Sequence, residues 1–360
     1  MNKINFLGQF YGCIGIPNHT RAFAEALIDN MEQVNLSAIT QGNDPYGFTQ
    51  KITNRLTTPD PNINSLIFWY PNTFDEYYSK IPKVDGAKRY GYFIFEYTII
   101  PPVHIEAMNK LDGVMTASKW GVEVLKNNGV TVPLYVVPGG VDHNVFNSST
   151  RKLDEKRFRF LHIGKAESRK GTNLVIQAFN EAFQGDRKVR LSLFIDNPHL
   201  RNFDADMFLN SVHEGLGLKY PVTNIDVRHF EDNIVNIYNS HHAAVFASKA
   251  EGIGLPIVEA MSCGLPVIVP FNSGITEYAT DDNSILLKDL VEEDIHDPTF
   301  FAGKGEFGKW NTPKVEDLTN KMKWVRENYD KAQAIGARAE HDMQTTYSWD
   351  LAAKKLLDIP

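Results

Sequence analysis

The stretch Ala250–Pro266, with the sequence AEGIGLPIVEAMSCGLP, carries the strongest fold signal in the chain. It follows the apolar segment Ala243–Ala247, which has the length and composition of a buried strand. Gly252 and Gly254 permit a tight turn after this strand, and Pro256 suits the first turn of a helix, where its missing N–H costs nothing. The stretch therefore predicts a strand, a tight loop and a helix, which is the repeating unit of a parallel α/β sheet.

This arrangement places two glutamates, Glu251 on the loop at the carboxyl end of the strand and Glu259 about one turn into the helix. Unpaired amides at a helix start suit an anion, and carboxylates accept hydrogen bonds from the vicinal hydroxyls of a ribose or hexose. For either glutamate alone, an exposed position or a helix-dipole role is the better interpretation. The pair, with its glycines and prolines, instead predicts a sugar-nucleotide site.

The same alternation of strands and helices runs through the chain twice. Several of the strands are continuous apolar runs, as expected for strands buried on both faces. The predicted strands are Ile4–Leu7, Ser65–Tyr70, Arg89–Phe95, Gly113–Ala117, Leu134–Val137, Phe158–Ile163, Leu191–Ile195, Ile225–His229, Ala243–Ala247, Val267–Val269 and Ser284–Leu287. The predicted helices are Thr20–Asn30, Ile105–Leu111, Lys119–Asn127, Thr172–Phe183, Asp232–Ser240, Pro256–Cys263 and Pro313–Asn328.

The alternation is interrupted near 147–157 by a polar segment without periodicity, which predicts an interdomain linker. A chain of 360 residues also fits two domains at about 150 residues each. We therefore expect an N-terminal domain over 1–150 and a C-terminal domain over 151–340, both doubly wound. We expect 341–360 to form a C-terminal helix that packs back on the N-terminal domain.

The composition is that of an ordinary globular protein, with 42% hydrophobic and 22% charged residues. The net charge, 37 − 44 = −7, argues against a chain built mainly to hold nucleic acid or an anionic membrane. Cys13 and Cys263 lie far apart in the sequence and cannot by themselves form a disulfide framework or a four-ligand zinc site. No signal-peptide pattern or long apolar run is present, so we expect a cytoplasmic protein, with weak membrane proximity left open and no nucleic-acid binding evident.

The spacing of Glu251 and Glu259 resembles the Glu-x7-Glu signature of family-four retaining glycosyltransferases, which have the GT-B fold. Gly164–Gly171, with the sequence GKAESRKG, is similar to the family's Gly-Arg-x4-Lys-Gly element after the first strand of the second domain. Val137–Asp142 is similar to the family's Pro-x-Gly-Val-Asp segment at the end of the first domain. Two further segments are similar to those of bacterial members: Gly308–Pro313 and Tyr347–Asp350. The resemblance covers nearly the whole chain and implies an α/β architecture of two Rossmann-like domains that face each other across a cleft.

The resemblance also implies a nucleotide diphosphate sugar as donor, bound mainly by the second domain. Glu251 corresponds to the glutamate that contacts the transferred sugar, and Glu259 to the one that contacts the ribose hydroxyls. Lys165 and Lys170 correspond to the basic pair at the diphosphate, where two ammonium groups can neutralise the leaving group. Lys165 stands where arginine is common, and a lysine cannot grip two oxygens as a fork. The other donor-binding residues that the resemblance implies are Gly15, Gly252, Ile253, Gly254 and Leu255. Arg169 is a further donor-binding candidate, because it could compensate for the lysine at position 165.

Three polar residues of the first domain are further candidates. Glu96 follows a predicted strand, which is an active-site position in this architecture, and resembles the glutamate of a Trp-Glu pair in some bacterial members. The alternative for Glu96 is an ordinary loop carboxylate. We count Glu96 as catalytic together with Glu251, Lys165 and Lys170. The acceptor-side candidates, each with its alternative, are His19, which otherwise lies at the surface, and Ser118, which otherwise caps the next helix.

Two possible metal signals have simpler explanations. The Asp-x-Asp segment 204–206 lies before a helical stretch, where acidic residues are typical caps. His241 and His242 are adjacent and would point to different faces. We therefore expect no metal and no cofactor besides the donor substrate.

The predicted function is that of a retaining hexosyltransferase that moves a hexose from a UDP- or GDP-sugar to a glycan, lipid-linked, protein or other acceptor. In the family, a donor phosphate oxygen takes the acceptor's proton in a front-face reaction, so that the protein contributes positioning and charge stabilisation. One alternative is a sugar-nucleotide epimerase or glycan phosphorylase of the same architecture. Another is an inert sugar-nucleotide-binding protein. The acceptor and the oligomeric state stay open.

Overall fold

The computed structural model describes residues 2–12, 15–40, 47–68, 87–196, 203–217, 225–228, 234–297 and 306–360. The chain divides into two compact units. Unit 1 consists of Met1–Asp142 together with Thr346–Pro360, and unit 2 of His143–Thr345. Several residues of the sequence predictions lie outside the described residues: Cys13, Trp69, Tyr70, His229 and Asp232.

In the described part of unit 1, six parallel strands form one sheet in the order β2-β1-β3-β4-β5-β6. The strands are β1 (Lys3–Gly8), β2 (Gln33–Ala38), β3 (Asn64–Phe68), β4 (Arg89–Tyr92), β5 (Gly113–Thr116) and β6 (Leu134–Val136). The helices are α1 (Gly15–Asn30), α2 (Gln50–Thr53), α3 (Pro102–Met108) and α4 (Lys119–Asn127). Helix α1 buries Phe23, which packs edge-on against Phe6 of β1 with 5.7 Å between ring centroids.

In the described part of unit 2, six parallel strands form a second sheet in the order β12-β11-β10-β7-β8-β9. The strands are β7 (Phe158–Lys165), β8 (Val189–Asp196), β9 (Ile225–Arg228), β10 (Ala243–Val245), β11 (Val267–Pro270) and β12 (Ile285–Leu287). An antiparallel pair follows, β13 (Leu290–Asp294) with β14 (Lys309–Pro313). The helices are α5 (Thr172–Phe183), α6 (Ala205–Gly215), α7 (Ile234–Asn239), α8 (Leu255–Ser262), α9 (Val315–Glu327) and α10 (Tyr329–Thr346).

The strand order of unit 2 decides where a ligand can bind. From β9 to β12 the order is that of a doubly wound nucleotide-binding sheet, which reverses direction between its first strand, β7, and its fourth, β10. Ligands bind beyond the carboxyl ends of the strands at such a switch point. The loop after β7, which runs from the strand's last residue Lys165 through Lys170, and the loop after β10, which contains Glu251, are therefore neighbours.

The C-terminal segment belongs to unit 1. Helix α11 (Trp349–Leu357) packs on α1, and Ala352, Ala353 and Leu356 are buried in the same core as Phe6. The approach is close at Gly140, where a Cβ atom would lie 2.2 Å from the backbone nitrogen of Trp349.

The division into units falls at 142/143, whereas the sequence prediction was 150/151. The segment between these positions is hydrogen-bonded to unit 2. Ser262 Oγ donates to the carbonyl of Phe146 (2.6 Å), and Asn239 Nδ2 donates to the carbonyl of Asn147 (2.9 Å). The polar segment 147–157, which was predicted to be the linker, therefore already belongs to unit 2.

The predicted bounds of α4 and α5 are confirmed. The predicted start of α1 at Thr20 was wrong, because the helix begins at Gly15 and the Thr20 hydroxyl donates to the carbonyl of Ile16 (2.9 Å). The predicted end of β4 at Phe95 was also wrong, because the strand ends at Tyr92. The other predicted elements in the described residues are present, with bounds that differ by a few residues.

The apolar run after β4 is a buried aromatic loop instead of a strand. The backbone N–H of Phe93 still donates to Met115 of β5, after which the chain leaves the sheet. Phe93 stacks on Phe95 with 4.8 Å between ring centroids, and Phe95 packs against Tyr97 at 5.6 Å. Glu96 therefore lies within this loop and not at the end of a strand.

His19 lies inside unit 1 with an exposed fraction of 2%. Its ring stacks on Phe68 with 4.4 Å between centroids and meets the ring of Trp349 edge-on at 4.7 Å. Among the described residues, neither ring nitrogen has a hydrogen-bond partner. Burial lowers the pKa of His19 to about 3, so the imidazole is neutral at physiological pH.

We expect His19→Phe to reduce the acid sensitivity of the fold. In the unfolded chain the imidazole has a pKa near 6.5, whereas in the folded protein it is not protonated until the pH falls to about 3. Below pH 6.5 the unfolded state therefore binds a proton that the folded state does not, and folding stability falls as the pH drops. The contribution of His19 to this loss is about 2 kcal/mol at pH 5. Urea unfolding followed by circular dichroism at pH 7.5 and pH 5 measures it.

In the variant, the difference in unfolding free energy between the two pH values should shrink by about that amount. The exposed His341 supplies the control, since His341→Phe should leave the difference close to that of the wild type. An unchanged difference in His19→Phe would contradict a neutral, buried imidazole.

Candidate functional site

The loops after β7 and β10 are locked together at the switch point. The backbone N–H of Lys249 donates to the carbonyl of Arg169 (2.8 Å). Gly171 has a left-handed backbone with φ of 65°, and a Cβ atom there would lie 2.3 Å from the carbonyl oxygen of Ala247. Only glycine combines this conformation with this approach. The contact sets the distance between the basic residues of the first loop and Glu251 on the second.

Glu251 is buried between two cations, with an exposed fraction of 4%. Its Oε1 lies 2.6 Å from Lys170 Nζ, and its Oε2 lies 2.9 Å from Arg169 Nη1. Its backbone N–H donates to the hydroxyl of Ser273 (2.8 Å). Burial by itself would raise the pKa of Glu251, but Lys170 and Arg169 outweigh it and lower the pKa to about 2. The carboxylate is therefore ionised at neutral pH.

The ion pairs extend from Glu251 into a chain of alternating charge. Arg169 Nη2 lies 3.1 Å from Glu167 Oε2, and Lys165 Nζ lies 2.5 Å from Glu167 Oε1. The charge chain is then Lys165, Glu167, Arg169, Glu251 and Lys170. Burial lowers the pKa of Lys170 despite its pairing with Glu251.

The two basic candidates at the start of this charge chain differ in exposure. The side chain of Arg169 is 7% exposed, and its Nη1 also donates to the carbonyl of Ala250 (2.8 Å). The side chain of Lys165 is 30% exposed. Arg169 therefore supports Glu251 from inside, while Lys165 is the more accessible to a ligand. Sequence reasoning missed Glu167, although an acid between two bases in the GKAESRKG segment is a usable signal.

Glu259 has a different environment. It lies on α8, half-buried, and its Oε2 accepts a hydrogen bond from the hydroxyl of Tyr238 on α7 (2.6 Å). Burial raises the pKa of Glu259 to about 7, although the hydrogen bond from Tyr238 acts in the opposite direction. Sequence reasoning missed Tyr238 because nothing in its local pattern indicates a partner on the next helix.

The start of α8 presents a row of unpaired amides. Gly254 has a left-handed backbone with φ of 84°, and the carbonyl of Ile253 accepts from the hydroxyl of Tyr278 (2.7 Å). Within the described residues, the N–H groups of Gly252, Ile253, Gly254 and Leu255 have no hydrogen-bond partner. Buried backbone N–H groups are rarely left unpaired, so this row indicates a ligand site for an anion.

The first-unit candidates lie on three different elements. Gly15 starts α1 at an exposed position. Ser118 is buried, and its Oγ accepts from the N–H of Gly121 (3.1 Å), which confirms the capping alternative. Glu96 is half-buried in the aromatic loop. The surface alternative for His19 was wrong, because the ring is inside the core; a role on the acceptor side stays a prediction.

The start of α6 explains the acidic pair, with Asp204 as the cap and Asp206 in the first turn, where an acidic residue complements the helix dipole. Asp204 Oδ1 accepts from the N–H of Met207 (2.9 Å), as expected of an N-cap. In the described ranges no three His, Cys, Asp or Glu side chains form a group that could hold a metal ion. Of the described helices, none has the length and apolar character needed to cross a membrane.

A family model described as "Family 4 Glycosyltransferase in conflict systems" matches residues 118–356, which is well over half of the chain. The chain belongs to the family-4 glycosyltransferases. The match includes the loops after β7 and β10, and it confirms the family that the Glu-x7-Glu spacing predicts.

Similar curated proteins and solved structures agree with this family assignment. Mannosylfructose-phosphate synthase of Agrobacterium fabrum is 28% identical over 172 residues, or 45% of this chain and 37% of that protein. The chain spans less than half the length of the first two curated relatives it matches. The structure of sucrose-phosphate synthase from Thermosynechococcus elongatus has a TM-score of 0.74 at 14% identity, covering 99% of this chain and 97% of that one. Anabaena HepE in complex with UDP and glucose has a TM-score of 0.70 at 16% identity, covering 99% of each chain. These likenesses confirm the GT-B fold.

In this family-4 glycosyltransferase, the switch point combines two kinds of chemistry. The amides at the start of α8 and the ammonium of Lys165 attract an anion. The carboxylates of Glu251 and Glu259 accept hydrogen bonds from hydroxyls. A ligand that carries phosphates between two sets of hydroxyls matches both.

We expect Arg169→Met to destabilise the protein by about 3 kcal/mol, because it removes the shared partner of two buried carboxylates, Glu167 and Glu251. Urea unfolding followed by circular dichroism gives the value. The matched control is Arg338→Met, whose side chain is 55% exposed in its ion pair with Asp342, so that the pair is in contact with water and should contribute little. Equal losses in the two variants would rule out a buried network that depends on Arg169.

Proposed function

We propose that this chain is a retaining hexosyltransferase that uses a UDP- or GDP-hexose as donor. The observation that carries the proposal is the row of unpaired amides at Gly252–Leu255, which lies next to the ionised Glu251. An anion-binding helix start beside a buried carboxylate suits a diphosphate joined to a sugar.

The proposed donor spans the switch point. Its diphosphate would lie at the amides of α8 with the ammonium of Lys165, while Lys170 supplies further positive charge beside Glu251. Glu251 would accept hydrogen bonds from the hexose and Glu259 from the ribose. The structure of HepE with UDP and glucose supports a nucleotide sugar as donor, because that chain has the same fold.

The low pKa of Glu251 favours a front-face mechanism. A carboxylate held by two cations is a weak base and a weak nucleophile, so Glu251 is poorly suited to attack the sugar or to take a proton. In the proposed reaction the bond from C1 to the phosphate oxygen breaks, and its electron pair leaves with the nucleoside diphosphate. The acceptor oxygen bonds to C1 on the same face, and its proton passes to the departing phosphate oxygen.

The protein's contribution is then charge stabilisation and positioning. Lys165, Lys170 and the amides stabilise the negative charge that grows on the leaving diphosphate. Because these groups already supply positive charge, the proposal includes neither a metal nor a cofactor. Glu96 and Gly15 stay proposed contacts from the first unit.

Calorimetric titration with UDP and GDP tests the nucleotide site. We expect the wild type to bind at least one of the two, and Glu259→Ala to weaken the binding about tenfold, the effect of losing one or two hydrogen bonds to a charged group. Glu327→Ala, at an exposed position of α9, is the matched control and should bind like the wild type. A wild-type protein that binds neither nucleotide would refute the proposal.

A donor screen against a mixed acceptor panel, followed by mass spectrometry, tests the reaction. We expect hexose transfer by the wild type, and a roughly 100-fold lower rate in Glu251→Gln, since its ionised contact to the sugar is lost. Nucleotide affinity should change much less, because Glu251 is assigned to the hexose. Nucleotide binding with neither transfer nor donor hydrolysis would favour the inert binding protein.

A further inference from the structure

Tyr238 is a fully buried residue to which neither the family resemblance nor the proposed function gives a role. Its hydroxyl donates to Glu259 Oε2 at 2.6 Å. Its ring lies edge-on to that of Phe146, with 6.0 Å between centroids. The next residue, Asn239, donates to the carbonyl of Asn147 and to the hydroxyl of Thr150, which fixes the end of α7. The phenol is therefore held rigidly against the carboxylate.

The hydrogen bond from Tyr238 occupies Oε2 of Glu259 and leaves the other carboxylate oxygen, Oε1, available to a ligand. In the described part of the chain, the Glu259 carboxylate has no other hydrogen bond within the protein. Burial raises the pKa of Tyr238 well above its usual value, so the phenol keeps its proton and remains a donor. A donor to one oxygen stabilises the ionised carboxylate, and the second oxygen can accept from a ribose hydroxyl.

We propose that Tyr238 is a positioning residue for the nucleotide, which favours the ionised form of Glu259 and orients its carboxylate so that the free oxygen can accept from the ribose. The inference rests on the proposed function. It goes beyond that function because it assigns the state of Glu259 to a residue on a different helix.

The other titratable groups near Glu259 do not replace Tyr238. Cys263 lies one turn along α8, and burial raises the pKa of its thiol, so it is uncharged. Arg151 donates to the carbonyl of Gly264 (2.8 Å), and Glu340 accepts from the N–H of Ser148 (3.0 Å). Both of these charged groups act on Cys263 at the end of the helix. Tyr238 is the one titratable group described here that forms a hydrogen bond with the Glu259 carboxylate.

The test is calorimetric titration of UDP and GDP from pH 5.5 to pH 8.5. Glu259 has a pKa of about 7, so wild-type affinity should fall as the pH drops through that value and the carboxylate takes up a proton. In Tyr238→Phe the midpoint should move up by about one pH unit, the usual effect of losing a hydrogen bond to a charged group. Affinity at pH 7 should drop several-fold and recover at pH 8.5.

Two references separate this effect from others. Glu259→Gln has no carboxylate to titrate, so its profile reports the ionisation of the ligand's own phosphate. Phe146→Leu removes a ring neighbour of Tyr238 but keeps the hydroxyl, so its midpoint should match the wild type. A purely structural role for Tyr238 would lower affinity equally at all pH values.

Site-specific 3-fluorotyrosine at position 238 tests the same point without loss of packing. Its phenol is a stronger donor, so the midpoint should move to lower pH. If the wild type binds nucleotide but neither change at position 238 moves the midpoint, this inference is overturned and the proposed function stands. If the wild type binds neither nucleotide, the proposed function itself fails.

Discussion

The ion pairs of Glu251 tie together the two loops on which the candidate site depends. An unpaired carboxylate this deeply buried would strongly destabilise the fold, because it loses its hydration. Lys170 and Arg169 of the neighbouring loop supply the compensating positive charge. The cations in turn remain buried because Glu251 and Glu167 neutralise them. Each loop is therefore ordered by the other, and the tight approach of Gly171 to Ala247 permits the contact.

Because the two loops depend on each other, some of their charged residues support the site and others are accessible to a ligand. Arg169 is used within the protein, so its guanidinium reinforces Glu251, while Lys165 stays partly exposed at the other end of the charge chain. The amides at the start of α8 add an uncharged set of donors whose positions are fixed by the backbone. A preorganised site of this kind needs little rearrangement when a ligand's charge arrives.

The two glutamates of the Glu-x7-Glu spacing have opposite electrostatic environments. Two cations lower the pKa of Glu251 to about 2, whereas burial with a single phenol donor leaves that of Glu259 at about 7. Both residues are glutamates of one motif, so the difference between their pKa values is not visible in the sequence. It depends on the neighbouring side chains that other elements contribute.

Local pattern predicted the elements that are long and periodic. The apolar run after β4 was wrongly predicted to continue the strand, because its aromatic rings, such as Phe93 and Phe95, pack against one another in a loop. Strand β2 was not predicted, although Val34 and Leu36 alternate with polar residues as in an edge strand. The antiparallel pair of β13 and β14 was also missed, because half-exposed polar strands carry a weak hydrophobic signal.

The sequence by itself determined the alternating α/β architecture, the family, and the places of Glu251 and Glu259 on a loop and a helix, because spacing along one strand or helix is a local property. Only the tertiary structure decided their partners. Arg169 and Glu251 are 82 residues apart in the chain and meet because β7 and β10 are adjacent in the sheet. Strand order depends on the packing of the whole domain, so contacts of this kind cannot be obtained from local pattern.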